Sequence, residues 1–90
     1  MASEFWSRAQ YILFTLHKPR TIISIQRNTG YSRQTIVKLV KVMETLGLVQ
    51  TQREGKYTLV YTTEKGKKIR KELLNLYYQI EPDTSSASSK

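Results

Sequence analysis

The sequence predicts a mainly helical α+β domain, in which a helix-turn-helix is followed by a β-hairpin and a long last helix. Three observations predict this fold class: a glycine turn between two apolar helical segments, two strand-like stretches on either side of Gly55, and helical periodicity near the C-terminus. Ninety residues suit one small domain. We expect that domain to cover residues 1–80, with the last helix at about 64–80, and residues 81–90 to form a disordered tail.

A first helix is predicted from about Glu4 to His17, with Ser3 as its N-cap and apolar side chains recurring at helical spacing. Pro19 is expected to end it. The single histidine, His17, lies near the helix C-terminus, where a positive charge is mildly favoured. We interpret it as a capping or solvated side chain, because no second histidine or cysteine is present to complete a catalytic or metal site.

The helix-turn-helix lies between Thr21 and Leu46. Gly30 can adopt the positive φ that turns a chain sharply after a helix, and Ser32 can restart a helix as its N-cap. The helix that follows, residues 32–46, has an apolar face and, opposite it, a narrow polar face that can donate hydrogen bonds and carries no acid. The polar face consists of Gln34, Lys38, Lys41 and Thr45.

A β-hairpin is predicted after Gly47, which we expect to cap the preceding helix. Its strands are residues 48–53 and 57–62, joined by a short glycine turn. Arg53 and Lys56 at the tip are either solvated charges, the usual state of such residues, or contacts to nucleic-acid phosphates. The second interpretation is favoured because a basic helix precedes the hairpin.

The last helix is predicted to begin after its N-cap, Thr63, and to carry one apolar stripe. The stripe is formed by Ile69, Leu73, Leu76 and Ile80. Further apolar side chains widen this surface beyond what one small core needs, so we expect a second copy of the chain to cover it. The predicted homodimer interface contains Leu73, Leu74, Leu76, Tyr77 and Ile80. The basic run at residues 65–71 is either a solvated face or an added phosphate contact.

The distribution of charge points to a polyanionic partner. The formal net charge is +8, from 15 Lys and Arg against 7 Asp and Glu. Between residues 18 and 56 there are two acids, Glu44 and Glu54, and eight basic residues. The eight are Lys18, Arg20, Arg27, Arg33, Lys38, Lys41, Arg53 and Lys56. We therefore expect double-stranded DNA to bind the helix-turn-helix and the hairpin.

Other chemistry has little support in the sequence. Cysteine is absent, and the acids are scattered without a pair spaced as a general acid and base. We therefore expect no enzyme activity, no metal site and no cofactor. The apolar run at residues 11–14 is far too short to cross a bilayer, and the start lacks the basic n-region of an export signal. No membrane partner and a cytoplasmic, nucleoid-associated location are expected.

Four segments resemble those of winged helix-turn-helix proteins. They are Tyr31-Ser32-Arg33-Gln34-Thr35, Met43-Glu44-Thr45-Leu46-Gly47-Leu48-Val49, Arg53-Glu54-Gly55-Lys56-Tyr57 and Thr63-Glu64-Lys65-Gly66. Over residues 4–80 the chain is similar to regulators of the MarR and PadR kind, most like compact archaeal or archaeal-virus members. The resemblance implies a recognition helix at residues 32–46, a two-stranded hairpin wing with its contacts at residues 53–57, and a C-terminal dimerisation helix. The extra helices that frame the effector pocket of MarR proteins are missing or reduced to one, so no small-molecule ligand is expected.

We expect a sequence-specific transcriptional regulator that binds double-stranded DNA as a homodimer. The predicted DNA-binding residues are Tyr31, Ser32, Arg33, Gln34, Thr35, Lys38, Lys41, Arg53 and Lys56. An architectural, chromatin-like protein with little base discrimination is the alternative, because lysine contacts phosphate as readily as guanine. Gln34 and Thr35 are types that read base edges, which favours the regulator. A winged helix that binds another protein is a third possibility, against which the uneven charge argues.

Overall fold

The computed structural model describes residues 2–80 and confirms the predicted mainly helical α+β fold class. Within that range the chain forms four helices and a small antiparallel sheet. The elements are α1 (Ala2–Thr15), β1 (Arg20–Thr21), α2 (Ile22–Thr29), α3 (Arg33–Thr45), β2 (Val49–Glu54), β3 (Tyr57–Thr62) and α4 (Glu64–Ile80). The predicted tail, residues 81–90, lies outside the described residues.

The hydrophobic core lies between the first three helices and one face of the sheet. Ile12, Ile25, Ile36 and Met43 are fully buried there, and Val60 covers them from the sheet. None of the buried residues in the described part of the chain is polar or charged. The apolar residues that recur at helical spacing in the sequence are therefore the residues of the core. Burial of their side chains holds these elements together.

The sheet has three strands, in the order β1-β3-β2, where the sequence analysis expected two. The added strand is β1, in which Arg20 pairs with Val60 and Thr21 with Leu59. A strand of two residues has no periodicity of its own, so it forms only where the hairpin supplies a partner. Thr21 then serves as the N-cap of α2 by accepting from the amide of Ser24 at 3.1 Å.

Helix α1 ends at Thr15, before the predicted position, and two arginines bind its last carbonyl groups. Arg20 Nε donates to Thr15 O at 2.6 Å. The guanidinium of Arg70, in α4, donates to Leu13 O at 3.1 Å and to Phe14 O at 3.0 Å. These groups are among the carbonyls that a helix end leaves without an internal partner, and cations are favoured at that end of the dipole. The arginines therefore cap the end of the helix, and Pro19, which has no amide hydrogen to donate to Thr15 O, prevents its continuation as predicted.

Helix α3 ends in a Schellman motif. Its C-cap is Leu46, one residue before the glycine that the sequence analysis expected to cap it. Gly47 follows with φ +81, and its amide donates to Glu44 O at 3.0 Å while the amide of Leu48 donates to Met43 O at 2.9 Å. The left-handed conformation of Gly47 turns the chain directly into β2.

The start of α4 is fastened to the end of α3 through Thr63. Its hydroxyl donates to Gly47 O at 2.6 Å and accepts from the amide of Gly66 at 3.0 Å, as predicted for an N-cap. The amide of Thr63 donates to Leu48 O at 3.1 Å. Gly66 is buried against the same Leu48 peptide, and a Cβ at position 66 would lie 2.9 Å from its carbonyl carbon and closer still to its oxygen. A side chain at position 66 is therefore excluded by backbone.

The basic run of α4 has a structural role that the sequence analysis left open. Lys65 Nζ donates to Leu46 O at 3.1 Å, beyond the last turn of α3, and Arg70 binds the end of α1. Both side chains therefore neutralise the negative end of a neighbouring helix. Lys67, by contrast, is exposed and lies 3.7 Å from the Glu64 carboxylate, an ion pair that stabilises little.

Candidate nucleic-acid interface

The turn between α2 and α3 fixes where the second helix begins. Gly30 has φ +78, and its amide donates to Gln26 O at 2.7 Å, which closes α2. Ser32 is the N-cap of α3, as predicted: its Oγ accepts from the amide of Thr35 at 3.2 Å and donates to Thr35 Oγ1 at 3.0 Å. The hydroxyls of Ser32 and Thr35 are thus already engaged by the cap, although Ser32 remains exposed.

Tyr31 lies in the same turn, and its ring packs against the core. The Tyr11 ring meets it edge-on, with the ring centroids 5.8 Å apart, and the Arg8 guanidinium lies 5.7 Å from the Tyr31 centroid. The Tyr11 hydroxyl donates to Asn28 O at 3.2 Å. These contacts hold the turn against α1, so Tyr31 orients α3 as well as lying at its start.

The solvent face of α3 brings together four of the nine predicted DNA-binding residues. Six exposed side chains line one shallow concave surface, which we call the α3 face. They are Arg33, Gln34, Val37, Lys38, Lys41 and Val42. The sequence analysis missed Val37 and Val42, which are 44% and 41% exposed and flank the polar side chains on either side. Their signal was available in the sequence, because they fall outside the buried face of the helix.

Glu44, the one acid within Arg33–Thr45, is turned toward the sheet. Its Oε2 accepts from the Thr51 hydroxyl of β2 at 3.2 Å. Glu44 is exposed and lines a neighbouring groove on the wing side of the helix, which it shares with Arg33, Val37 and Lys41 of the α3 face. The α3 face keeps three cationic side chains and one amide without a carboxylate among them.

The hairpin of β2 and β3 turns at Gly55, which has φ +62, and its tip carries both predicted phosphate contacts. Lys56 lines a groove between the hairpin and the start of α2, and Arg33 of α3 lines the same groove. Arg53 is exposed and folds onto its own turn, with Nε donating to Gly55 O at 3.4 Å. Cationic side chains thus continue from α3 to the wing, by which we mean residues 53–57.

The apolar surface of α4 divides into a packed half and an exposed half. Ile69 and Leu73 pack against the core, but Leu76 is 50% and Tyr78 is 74% exposed. Tyr77 is also half exposed, and its ring meets that of Phe14 in α1 with the centroids 5.4 Å apart. Of the predicted stripe, the side chain at position 80 lies outside the described residues.

Between residues 2 and 80 no three His, Asp or Glu side chains lie together as metal ligands would. No helix in this range combines the length and the apolar character that a membrane span needs.

The comparisons with known proteins identify the architecture. No protein-family model matches the sequence, and no curated protein does. The AF1382 protein of Archaeoglobus fulgidus superposes with a TM-score of 0.79 at 21% identity, covering 83% of this chain and 89% of that one. The transcriptional regulator BldR of Sulfolobus solfataricus has a TM-score of 0.66 at 25% identity over 81% of this chain and 61% of its own.

A third similar structure was solved with nucleic acid. FabT of Streptococcus pneumoniae in complex with DNA has a TM-score of 0.79 at 11% identity, covering 88% of this chain and 59% of that one. At such identities the likeness concerns the fold. The described part of the chain is therefore a winged helix-turn-helix, with α2 and α3 as the helix pair and β2 and β3 as the wing.

Proposed function

We propose that this protein is a sequence-specific transcriptional regulator that binds double-stranded DNA as a homodimer. The observation that carries the proposal is the α3 face, where cationic and amide side chains stand exposed together while the one acid of the helix is held by Thr51. Similar folds occur in a transcriptional regulator, BldR, and in FabT bound to DNA. Phosphate attraction supplies most of the affinity in such complexes, and base edges supply the specificity.

In this proposal α3 enters the major groove, whose width admits one helix. Gln34 lies in the first turn and has the geometry to donate to and accept from an adenine edge. Lys38 and Lys41 follow on the same face and bind guanine or phosphate oxygens. Ser32 and Thr35 contribute by fixing the first turn, since their hydroxyls are hydrogen-bonded to that turn already.

The wing adds contacts to the DNA backbone. Arg33 and Lys56 line one groove from two different elements, so both cations can meet phosphates that border the major groove. Arg53 extends the positive surface at the hairpin tip. Cations placed this way fix the register of α3 on the duplex without reading its sequence.

The homodimer is proposed to form through the exposed half of α4. This half carries a large apolar surface that the described domain leaves at least half exposed, formed by Leu76, Tyr77 and Tyr78. Two-fold pairing is the commonest assembly and would present two α3 helices to half-sites about 34 Å apart. The proposed interface residues are Leu73, Leu74, Leu76, Tyr77 and Ile80, of which Leu73 also packs against its own core.

The deciding experiment is a selection of bound duplexes from a random pool. A two-fold symmetric consensus supports a dimeric regulator, whereas binding without enrichment of any sequence would mean an architectural protein. The matched control is the double variant Lys38→Glu and Lys41→Glu. Both side chains are exposed, so the variant should fold as the wild type does and should recover no DNA.

A further inference from the structure

The α3 face contains two apolar side chains that helix packing does not explain. Four other apolar residues of the helix, Ile36, Leu39, Val40 and Met43, are buried. Val37 and Val42 are more than two-fifths exposed, and β-branched residues are weaker helix formers than the lysines beside them. Neither the core nor helix propensity therefore accounts for valine at these positions.

Val37 is the better placed of the two for contact with bases. It lies in the half of α3 that begins at Ser32, one turn beyond Arg33 and Gln34, and it also borders the groove toward the wing together with Ile22 and Glu44. A recognition helix contacts base edges chiefly with its N-terminal residues. Val42 lies in the half of the helix that runs toward Leu46.

One group on the major-groove edges of DNA is apolar, and that is the thymine C5-methyl. We infer that Val37 reads a thymine methyl group and so determines part of the sequence preference of the α3 face. Gln34 and Val37 lie on the same surface within one turn of the helix, so we expect the thymine to lie near the position that Gln34 reads.

This inference rests on the proposed function, and the experiment separates the two. Each thymine of the selected half-site is replaced in turn by deoxyuridine, which removes the methyl group and leaves every hydrogen-bonding group in place. Burial of one methyl group predicts a loss of about fourfold in affinity at one thymine. The wild-type chain and the variants Val37→Ala, Val37→Thr and Val42→Ala are compared on the same duplexes.

The expected result is a methyl dependence that disappears in Val37→Ala and persists in Val42→Ala, the control with the same residue change on the same helix. Val37→Thr keeps one γ-methyl group and should retain part of the dependence. If a sequence is enriched but no deoxyuridine replacement lowers the affinity, the inference is wrong and the proposed function is unaffected. If deoxyuridine lowers the affinity of Val37→Ala as much as that of the wild type, another side chain contacts the methyl group and the inference is wrong. Binding without enrichment of any sequence would overturn both the inference and the proposed function.

Discussion

The guanidinium of Arg70 closes the C-terminal end of α1 by donating to Leu13 O at 3.1 Å, across 57 positions of sequence. A second bond reaches Phe14 O, so one side chain of α4 binds two carbonyls in the last turn of α1. The arrangement joins the proposed dimerisation helix to the first helix through a charge-assisted contact.

Arg70→Ala should therefore lower stability without weakening the DNA-binding surface. Hydrogen bonds from a charged group contribute about 1.5–3 kcal/mol, and we expect a loss of that order in urea unfolding. The matched control is Lys71→Ala, an exposed neighbour in the same basic run, which should change stability little. Equal effects of the two variants would contradict the capping role of Arg70.

Gly66→Ala should destabilise the protein, although Gly to Ala inside a helix ordinarily stabilises by about 0.5–1 kcal/mol. The added methyl group would collide with the Leu48 peptide, which is backbone and cannot turn aside. Overpacking of this kind costs about 1–3 kcal/mol. Urea unfolding measures the change, with Lys67→Ala, on the exposed side of the same turn, as the control. A Gly66→Ala protein as stable as the wild type would show that α4 can shift away from β2.

Binding to duplex DNA should weaken steeply as salt increases. Each phosphate neutralised by Lys or Arg contributes about −0.9 to the slope of log affinity against log salt. Lys56→Ala should make this slope shallower by about one, because Lys56 is proposed to bind a phosphate from the wing. Fluorescence anisotropy across a salt series measures it, and a nearly flat wild-type dependence would contradict the electrostatic interface.

Gln34→Ala and Lys38→Ala should affect specificity, whereas Lys56→Ala should not. If the first two side chains reach base edges, their loss weakens the selected site more than an unrelated duplex, by about 1–3 kcal/mol for a bidentate contact. The wing variant should weaken both duplexes equally. Competition binding with the two duplexes distinguishes these outcomes, and equal losses from all three variants would remove the claim of direct readout.

Leu76→Glu with Tyr77→Glu should give a monomer in sedimentation equilibrium. Both residues are half exposed on α4, so charge there opposes association. Because Tyr77→Glu also removes the ring contact with Phe14, urea unfolding checks that the double variant still folds. DNA affinity should fall sharply because two half-sites are no longer bound together. Lys68→Glu is the control for added acid on the same helix, at an exposed position outside the proposed interface. A wild-type chain that sediments as a monomer at high micromolar concentration would rule out the dimer.

The elements that sequence analysis located correctly are those whose ends are determined by neighbouring residues. Ser32 caps α3 through the amide of Thr35, and Thr63 caps α4 through that of Gly66. What it missed depends on distant contacts. Strand β1 forms on β3, about forty positions later, and Arg70 of α4 binds the end of α1 across 57 positions.

In the candidate site, too, the features set by local sequence were predicted and those set by distant contacts were not. The polar face of α3 was predicted from helical periodicity, and the structure exposes Gln34, Lys38 and Lys41 together. The position of the Glu44 carboxylate could not be predicted, because it depends on Thr51 in the following strand. Lys65 was indistinguishable in sequence from its solvated neighbours until the fold placed it beside Leu46 O. The assignments of DNA and dimer contacts stay predictions until the variants are measured.

The bonds of Thr63 to Gly47 and Leu48 have a consequence for the length of the hairpin. These bonds join the residues that precede β2 to the residue that follows β3, so both ends of the hairpin are fixed at the same place on the domain. A Cβ at Gly55 would meet nothing within 4 Å, which leaves its tip open to solvent. Extra residues inserted at Gly55 should therefore lengthen the reach along DNA while α3 and α4 keep their mutual angle, at about 0.6 kcal/mol for each doubling of a flexible loop. The length of the hairpin can therefore be changed without changing the packing of the rest of the domain.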